Sequence, residues 1–201
     1  RPFGLVPTEA DGRVIEFREK PAELAPGDIN AGTYVLEPSA LASWETGRNV
    51  SIEREIFPAL IAEGRSIHGF VTDAYWIDLG TPERYLQAHF DLLDGRVHGE
   101  PEYPAPFIAV GAVVAPDGAG GRRVVVGPRA SVDGGAVVED SVLHPGATVG
   151  PRAVVRSSIL GPDSAVGGEV TECVVGEGAS VPEGSVLAGE RIPAGQTPTP
   201  G

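Results

Sequence analysis

The chain has 201 residues, one cysteine, no methionine, a formal net charge of −13 and a pI of about 4.6. This acidic balance argues against nucleic acid and anionic membrane as partners, and no apolar run approaches the roughly 18–20 residues of a transmembrane helix. The single cysteine, Cys173, excludes an internal disulfide and fits a reducing, cytoplasmic compartment. Because the chain begins at Arg1, we expect it to be part of a longer product.

Residues 1–97 predict an α/β layer, because strand patterns alternate with helix patterns. Asp11-Gly12 predicts a hairpin turn, and strands are predicted at 14–17, 32–36, 66–72 and 75–79. A short helix is predicted at 38–44. Ser51 is predicted to cap a helix that Pro58 either kinks or divides, and Thr81 to cap a helix that stops at Gly95.

A repeat occupies the C-terminal half, after a Pro- and Glu-rich linker at 98–106. Four rows begin at Val125, Val142, Ile159 and Val174, and the third row is two residues short. Three aliphatic columns recur in the rows: Val126, Leu143, Leu160 and Val175; Val132, Val149, Val166 and Val181; Val138, Val155, Val170 and Leu187. Such spacing predicts a parallel β-helix with three-sided coils over 107–195, glycines at corners of positive φ, an exposed loop at 116–123 and a tail at 196–201.

Two polar clusters border predicted strands near the N-terminus: one follows the strand at 14–17, and the other introduces the strand at 32–36. Glu19-Lys20 stands at a strand end that Pro21 keeps extended, where the carboxylate can accept from sugar hydroxyls and the ammonium can donate to phosphate. A solvated surface ion pair is the alternative. Asn30 offers a donor and an acceptor, and Gly32 permits close approach of a ligand, although a plain loop turn explains both residues equally well.

Asp78 lies inside an aromatic and aliphatic strand pattern, where a carboxylate needs a partner or a metal. Its place at the end of an α/β strand makes it a candidate Mg²⁺ ligand; the alternative is that it caps a helix or pins a loop. His144 is the histidine inside the repeat, at a column position where other rows have glycine. A corner role is the simpler interpretation of His144, and a catalytic base the alternative. Cys173 is interpreted as a small corner residue.

Four segments in one order carry a family resemblance: FREKP from Phe17, NAGTYVLEP from Asn30, SIEREIFPALI from Ser51 and YWIDLGTPERYLQAH from Tyr75. Followed by a hexapeptide β-helix, they resemble the sugar-1-phosphate nucleotidyltransferases, most closely bacterial mannose-1-phosphate guanylyltransferases. The resemblance implies the C-terminal part of a Rossmann-like α/β domain followed by a left-handed parallel β-helix. The family's glycine-rich loop, nucleotide-base contacts and other metal aspartate have no counterpart in this sequence.

The resemblance also implies roles for single residues. Glu19 contacts sugar hydroxyls, and Lys20 contacts the sugar phosphate and orients it for attack. Gly4, in Phe3-Gly4-Leu5, lines the sugar pocket, and Asn30 and Gly32 abut the sugar. Asp78 is one of two Mg²⁺ ligands. Lys20 and Asp78 are the catalytic residues that this chain contributes.

The implied substrates are mannose-1-phosphate and GTP, which react to GDP-mannose and pyrophosphate. The implied partner is an N-terminal half of the same protein, and we expect this chain alone to be inactive. A homo-oligomer formed through the β-helix is expected as well. Two other functions stay open: a non-catalytic regulatory or oligomerising subunit, and a hexapeptide-repeat acyltransferase, which the shortage of a histidine base disfavours.

Overall fold

The computed structural model describes residues 4–18, 27–118, 121 and 123–198. Within it the chain divides into two compact units, Arg1–Trp76 and Ile77–Gly201. Among the described residues, no helix combines the length and apolar character needed to cross a bilayer.

The helices of the first unit follow the predicted caps. A 3₁₀-helix spans Pro38–Ala40, a π-helix Ile52–Ile56 and α1 Phe57–Ala62. Ser51 caps the second of these, because its hydroxyl accepts the backbone N–H of Arg54 at 3.2 Å. Pro58 stands in the first turn of α1, where its missing N–H leaves no helical bond unmade, so it divides the predicted helix in two. The helix predicted at 38–44 is confirmed only over its first three residues.

A small aromatic core holds the first unit together. Phe57 is almost fully buried; the ring of Phe17 stacks on it at 4.6 Å between centroids, and the ring of Tyr34 meets it edge-on at 4.9 Å. Ile56 and Leu60 complete the buried face of the helical segment. The two ring contacts join residues that lie 40 and 23 positions apart in the sequence, so the core depends on tertiary packing.

The strands predicted at 14–17, 32–36, 66–72 and 75–79 are wrong as regular elements. The described residues of the first unit form isolated antiparallel bridges instead: Leu5 with Arg18, Leu5 with Ile29, Thr8 with Val14, and Arg13 with His68. Of these residues only Val14 and His68 lie in a predicted strand. The hairpin turn at Asp11-Gly12 is confirmed, with Gly12 at φ +87° and the N–H of Glu9 bonded to the carbonyl of Arg13 at 2.8 Å. A strand needs a paired neighbour, and Val35, in the middle of one predicted strand, is fully exposed.

The second unit is dominated by a solenoid of parallel strands of about five turns. In chain order the strands are β1 Phe107–Ile108, β2 Val113–Val114, β3 Val124–Val126, β4 Ser131–Val132, β5 Val137–Glu139, β6 Ser141–Leu143, β7 Thr148–Val149, β8 Val154–Arg156, β9 Ile159–Leu160, β10 Ala165–Val166, β11 Glu169–Thr171, β12 Val174–Val175, β13 Ser180–Val181, β14 Val186–Ala188 and β15 Arg191–Ile192. In the part of the chain described, they form three sheets ordered β1-β3-β6-β9-β12-β15, β2-β4-β7-β10-β13 and β5-β8-β11-β14.

The three predicted aliphatic columns are confirmed as inward-facing ladders. Val126 pairs with Leu143, Val132 with Val149, and the same register continues to the last rows. The short third row keeps its register through a tight corner at Gly167-Gly168. A Cβ on Gly168 would lie 2.4 Å from the carbonyl oxygen of Ser185, so only glycine allows this approach.

The corners use glycine less uniformly than predicted. Residues with side chains also occupy the left-handed region there: Arg129, Asp140, Arg152, Ser157, Asp163 and Glu172, with φ from 46° to 61°. Gly127, Gly161 and Gly176 instead serve close packing, since an added Cβ would come within 2.6 to 2.8 Å of backbone atoms of the next coil. Stacking distance, as well as φ, therefore selects glycine in this solenoid.

A buried column of small polar side chains closes one corner. The hydroxyl of Ser141 accepts the N–H of Ser158, and the hydroxyl of Ser158 accepts the N–H of Cys173, both at 3.0 Å. Each hydroxyl also donates to a carbonyl two residues earlier in its own coil, at 2.6 Å. Cys173 continues the column with its thiol 3.3 Å from the carbonyl oxygen of Thr171, which agrees with its interpretation as a small corner residue.

The helix α2, Pro82–Leu93, packs on the solenoid within the second unit. Thr81 caps it as predicted, accepting the N–H of Arg84 at 3.3 Å, and Gly95 follows its end at φ +69°. The strand beneath α2 is β6, where Ser141, Val142 and Leu143 are all buried. Val142 points away from the solenoid interior yet is only 3% exposed, because the helix covers it.

The hydroxyl column can be tested by substitution. Ser158→Ala removes the acceptor of the Cys173 N–H inside the core and should lower the free energy of unfolding by about 1–3 kcal/mol. Cys173→Ser is the control, since serine fills the same corner in the two preceding coils. This substitution should lower the free energy of unfolding much less. Urea denaturation measures both. Equal losses in the two variants would show that the hydroxyl acceptor is not what stabilises the corner.

Candidate functional site

Two of the predicted sugar-site residues meet through the backbone. The N–H of Asn30 donates to the carbonyl of Gly4 at 3.0 Å. Beside them, Leu5 and Arg18 exchange both of their backbone hydrogen bonds at 2.9 Å. Glu19 and Lys20 follow Arg18 in the sequence but lie outside the described residues. The structure thus joins Gly4 and Asn30 in one short antiparallel arrangement, and the roles of Glu19 and Lys20 stay predictions.

The side chain of Asn30 is held by a polar network that the sequence analysis missed. Its amide nitrogen donates to a carboxylate oxygen of Glu53 and to the hydroxyl of Tyr34, both at 2.6 Å. The Tyr34 hydroxyl in turn donates to the same Glu53 oxygen at 2.9 Å. The amide oxygen of Asn30 accepts the N–H of Gly32 at 3.0 Å. Both amide N–H groups are therefore used inside the protein, and the oxygen keeps one lone pair for a ligand.

Glu53 was available to sequence reasoning only as part of the SIEREIFPALI motif. Its helical neighbour Glu55 turns the other way, accepting the N–H of Ser51 at 3.1 Å and pairing with Arg48 at 2.6 Å. Two acidic residues in one helical turn thus have separate partners. No local pattern distinguishes them, because the partner of Glu53 lies 23 residues earlier in the chain.

Open space borders the loop that carries Gly32. Gly32 has φ +76°, and a Cβ built on it would meet nothing within 4 Å. The loop is fixed on its other side by Trp76, whose indole N–H donates to the carbonyl of Ala31 at 3.2 Å. Glycine is needed here for its backbone conformation, and the open space leaves room for a ligand beside the backbone.

Asp78 belongs to the second unit, in the loop that leads to α2. Its carboxylate is exposed, and one oxygen accepts the N–H of Gly80 at 3.1 Å. This turn is the loop-pinning role that the sequence analysis kept as an alternative. The second oxygen has the hard anionic character that Mg²⁺ prefers, so the residue fits as one ligand of such an ion. Among the described residues no group of three His, Cys, Asp or Glu is placed to complete a site.

His144 contacts a tyrosine of the helix α2. Its Nε2 lies 3.1 Å from the hydroxyl of Tyr85 on α2. Burial, and to a smaller extent the neighbouring His89, lowers the pKa of His144, while burial raises the pKa of the Tyr85 hydroxyl. A histidine engaged in this way is a poor candidate for the base of an acyltransferase, because a base must reach the substrate proton.

The Asn30 network leads to a test in the isolated chain. Glu53→Ala should release the Asn30 amide and accelerate hydrogen exchange of its side-chain N–H groups, because their charged acceptor is lost. The stability of the first unit should fall by about 1.5–3 kcal/mol, the scale of hydrogen bonds to a charged group. Two-dimensional NMR of the Asn side-chain amides reads the exchange directly. The exposed Glu45 provides the control, Glu45→Ala. Unchanged Asn30 exchange in Glu53→Ala would contradict the network.

Known families match both parts of the chain. Residues 1–95 match the family described as nucleotidyl transferase, and residues 103–196 match the GMPPB C-terminal domain. The mannose-1-phosphate guanylyltransferase of Mycobacterium tuberculosis is 38% identical over 152 residues, which cover 71% of this chain and 42% of that protein.

Eukaryotic relatives give the same result. The probable mannose-1-phosphate guanylyltransferase 2 of Arabidopsis thaliana is 36% identical over 140 residues, 69% of this chain and 38% of the relative. The mannose-1-phosphate guanyltransferase of Schizosaccharomyces pombe is 37% identical over 97 residues, 48% of this chain and 26% of the relative. The alignments thus cover from 26% to 42% of the length of these proteins. The chain belongs to the nucleotidyltransferases in which a nucleotidyl transferase domain is followed by a GMPPB C-terminal domain.

Proposed function

We propose that the protein to which this chain belongs makes GDP-mannose and pyrophosphate from GTP and mannose-1-phosphate. The observation that carries the proposal is the 38% identity to a mannose-1-phosphate guanylyltransferase over most of the chain. In this reaction a phosphate oxygen of the sugar phosphate attacks the α-phosphorus of GTP, and the bond from the α-phosphorus to the bridging oxygen breaks as pyrophosphate leaves. The protein lowers the barrier by positioning and by electrostatic stabilisation.

The residues proposed to bind the sugar lie in the first unit. The antiparallel pairing places the backbone of Gly4 beside Asn30, and the Glu53–Tyr34 network orients the Asn30 amide. The free lone pair of that amide and the open space beside Gly32 are suited to a sugar hydroxyl. Glu19 is proposed to accept from further hydroxyls. Lys20 is proposed to hold the phosphate in line for attack, a task for a charged donor.

Asp78 is proposed as one protein ligand of Mg²⁺, which would neutralise phosphate charge when bound. Its exposed carboxylate keeps one oxygen outside the turn with Gly80. The other carboxylate that the family resemblance implies has no counterpart in this sequence. The metal site therefore needs a residue from elsewhere in the protein.

Assembly through the solenoid is proposed as well. Its last coil leaves a groove of about 310 Å³, lined by Leu187, Glu190, Arg191, Ile192, Pro193, Gln196 and Pro198. The apolar edge of an end coil needs a cover, and a second copy related by a two-fold axis is the simplest one. Light scattering of the chain at micromolar concentration should give the mass of a dimer; a clean monomer would contradict this assembly.

The metal role has a direct kinetic test in a protein that joins this chain to a complete nucleotidyl transferase domain. Asp78→Asn keeps the acceptor of the Gly80 N–H but removes the charge, so folding should persist while turnover falls about a hundredfold or more. The exposed Asp73 supplies a matched control, Asp73→Asn, which should retain normal turnover. Initial rates of GDP-mannose formation across a Mg²⁺ titration measure the effect. Near-normal turnover of Asp78→Asn at limiting Mg²⁺ would leave Asp78 only the loop-pinning role.

A further inference from the structure

The contact between α2 and the solenoid is centred on Tyr85 and His144. The Tyr85 hydroxyl lies 3.1 Å from His144 Nε2, and the two rings are almost parallel, at 14° with centroids 5.9 Å apart. Two residues before His144, the outward-facing Val142 is buried, whereas Val125 and Ile159, its neighbours in the same outward column, are only half-buried. The helix therefore covers the solenoid most closely at β6.

His144 interrupts a column that otherwise favours glycine. It aligns with Gly127 in the coil before and Gly161 in the coil after, where an added Cβ would meet backbone atoms at 2.8 Å. Coil stacking alone gives no reason for a large side chain in this column. The contact with Tyr85 does give one, because the imidazole reaches the helix that lies on this coil.

On the helix side of the contact, Tyr85 is also contacted by His89. His89 Nδ1 lies 2.9 Å from the backbone carbonyl of Tyr85; since a carbonyl only accepts, Nδ1 carries the proton. The rings of His89 and Tyr85 lie 4.5 Å apart. Tyr85 thus contacts one imidazole from its own helix and one from the solenoid.

A second attachment lies at the other end of α2. The guanidinium of Arg123, beside β3, stands 5.5 Å from the ring centroid of Phe90 and pairs with the carboxylate of Asp94 at 3.5 Å. Two attachments prevent the helix from pivoting on the coil surface. The Asp78 turn directly precedes the N-terminus of this helix, because Thr81 caps α2 one residue after Gly80.

We propose that Tyr85 and His144 are positioning residues, which dock α2 on the solenoid and thereby hold the Asp78 turn in place. The docking involves only residues of this chain and does not depend on the proposed function. Its consequence for a metal ion rests on the proposed function, in which Asp78 is a ligand. The solenoid then contributes to the reaction by supporting the helix and the turn that hold one metal ligand.

The docking should weaken in acid. Tyr85 and His89 face His144 from α2; on the solenoid, the turn after His144 bonds to Pro128 and Asp163 of the adjacent coils, and Arg129 follows Pro128. Burial and His89 lower the pKa of docked His144, so the undocked state binds the proton more tightly. Docking is then fully stable above the ordinary histidine pKa of about 6.5 and is lost progressively as pH falls through the lowered value.

Hydrogen exchange of the 201-residue chain tests the docking without any assay of activity. At pH 7, Tyr85→Phe and His144→Gln should each accelerate exchange of the peptide covering 77–93 by about two- to tenfold, the range for one net hydrogen bond. Peptides from β8 to β12 should not change. His98→Gln, at an exposed position outside α2, is the control. In the wild-type chain, exchange corrected for its intrinsic rate should accelerate from pH 7 to pH 5.5, and His144→Gln should lose this dependence.

The outcomes separate the docking from the proposed function. Unchanged exchange at 77–93 in both variants, or equal acceleration in the solenoid peptides, would overturn the docking. In the protein with a complete nucleotidyl transferase domain, Tyr85→Phe should raise the Mg²⁺ concentration for half-maximal rate about two- to tenfold and leave the KM for mannose-1-phosphate unchanged. An unchanged Mg²⁺ requirement would overturn the positioning of Asp78. Absence of guanylyl transfer by the wild-type protein would instead overturn the proposed function, while the exchange result would still decide the docking.

Discussion

The in-register stacking of parallel coils is the constraint on which the second unit depends. Each coil bonds its backbone N–H groups to carbonyls of the next coil, as from Gly127 to Leu143 and from Val142 to Ser158. The inward valines and leucines then lie directly above one another and exclude water from a continuous core. Any residue that disturbs the spacing of one coil disturbs both of its neighbours, so the corners are as constrained as the core.

Register explains why the corners are not all alike. Where two coils approach most closely, as at Gly168 and Ser185, there is no room for a side chain. Where the chain only needs a left-handed turn, residues such as Arg129 or Asp163 suffice. Buried corners also have backbone N–H groups to satisfy, and Ser158 does so for Cys173. One repeat thus meets three different local demands.

One outer face of the solenoid supports α2, the helix that follows the proposed metal ligand Asp78. Alternation along a strand places one residue outward for every inward one, and the outward residue of β6 under α2 is the apolar Val142. Its burial by the helix, together with the Tyr85–His144 contact, supports the helix that follows the Asp78 turn. In the first unit the equivalent support is electrostatic, since the carboxylate of Glu53 fixes the Asn30 amide. Asn30 and Asp78 are therefore both supported by residues that have no proposed role in the reaction itself.

The sequence by itself determined the solenoid, its register, the caps at Ser51 and Thr81 and the corner role of Cys173, because these features repeat at fixed spacing or act within one helical turn. Only the tertiary structure decided the partners of Asn30 and His144, since Glu53 and Tyr85 lie 23 and 59 residues away and no local pattern encodes such pairs. The predicted strands of the first unit failed for the same reason. Strand propensity is a local property, but a strand exists only where a second segment supplies its hydrogen bonds.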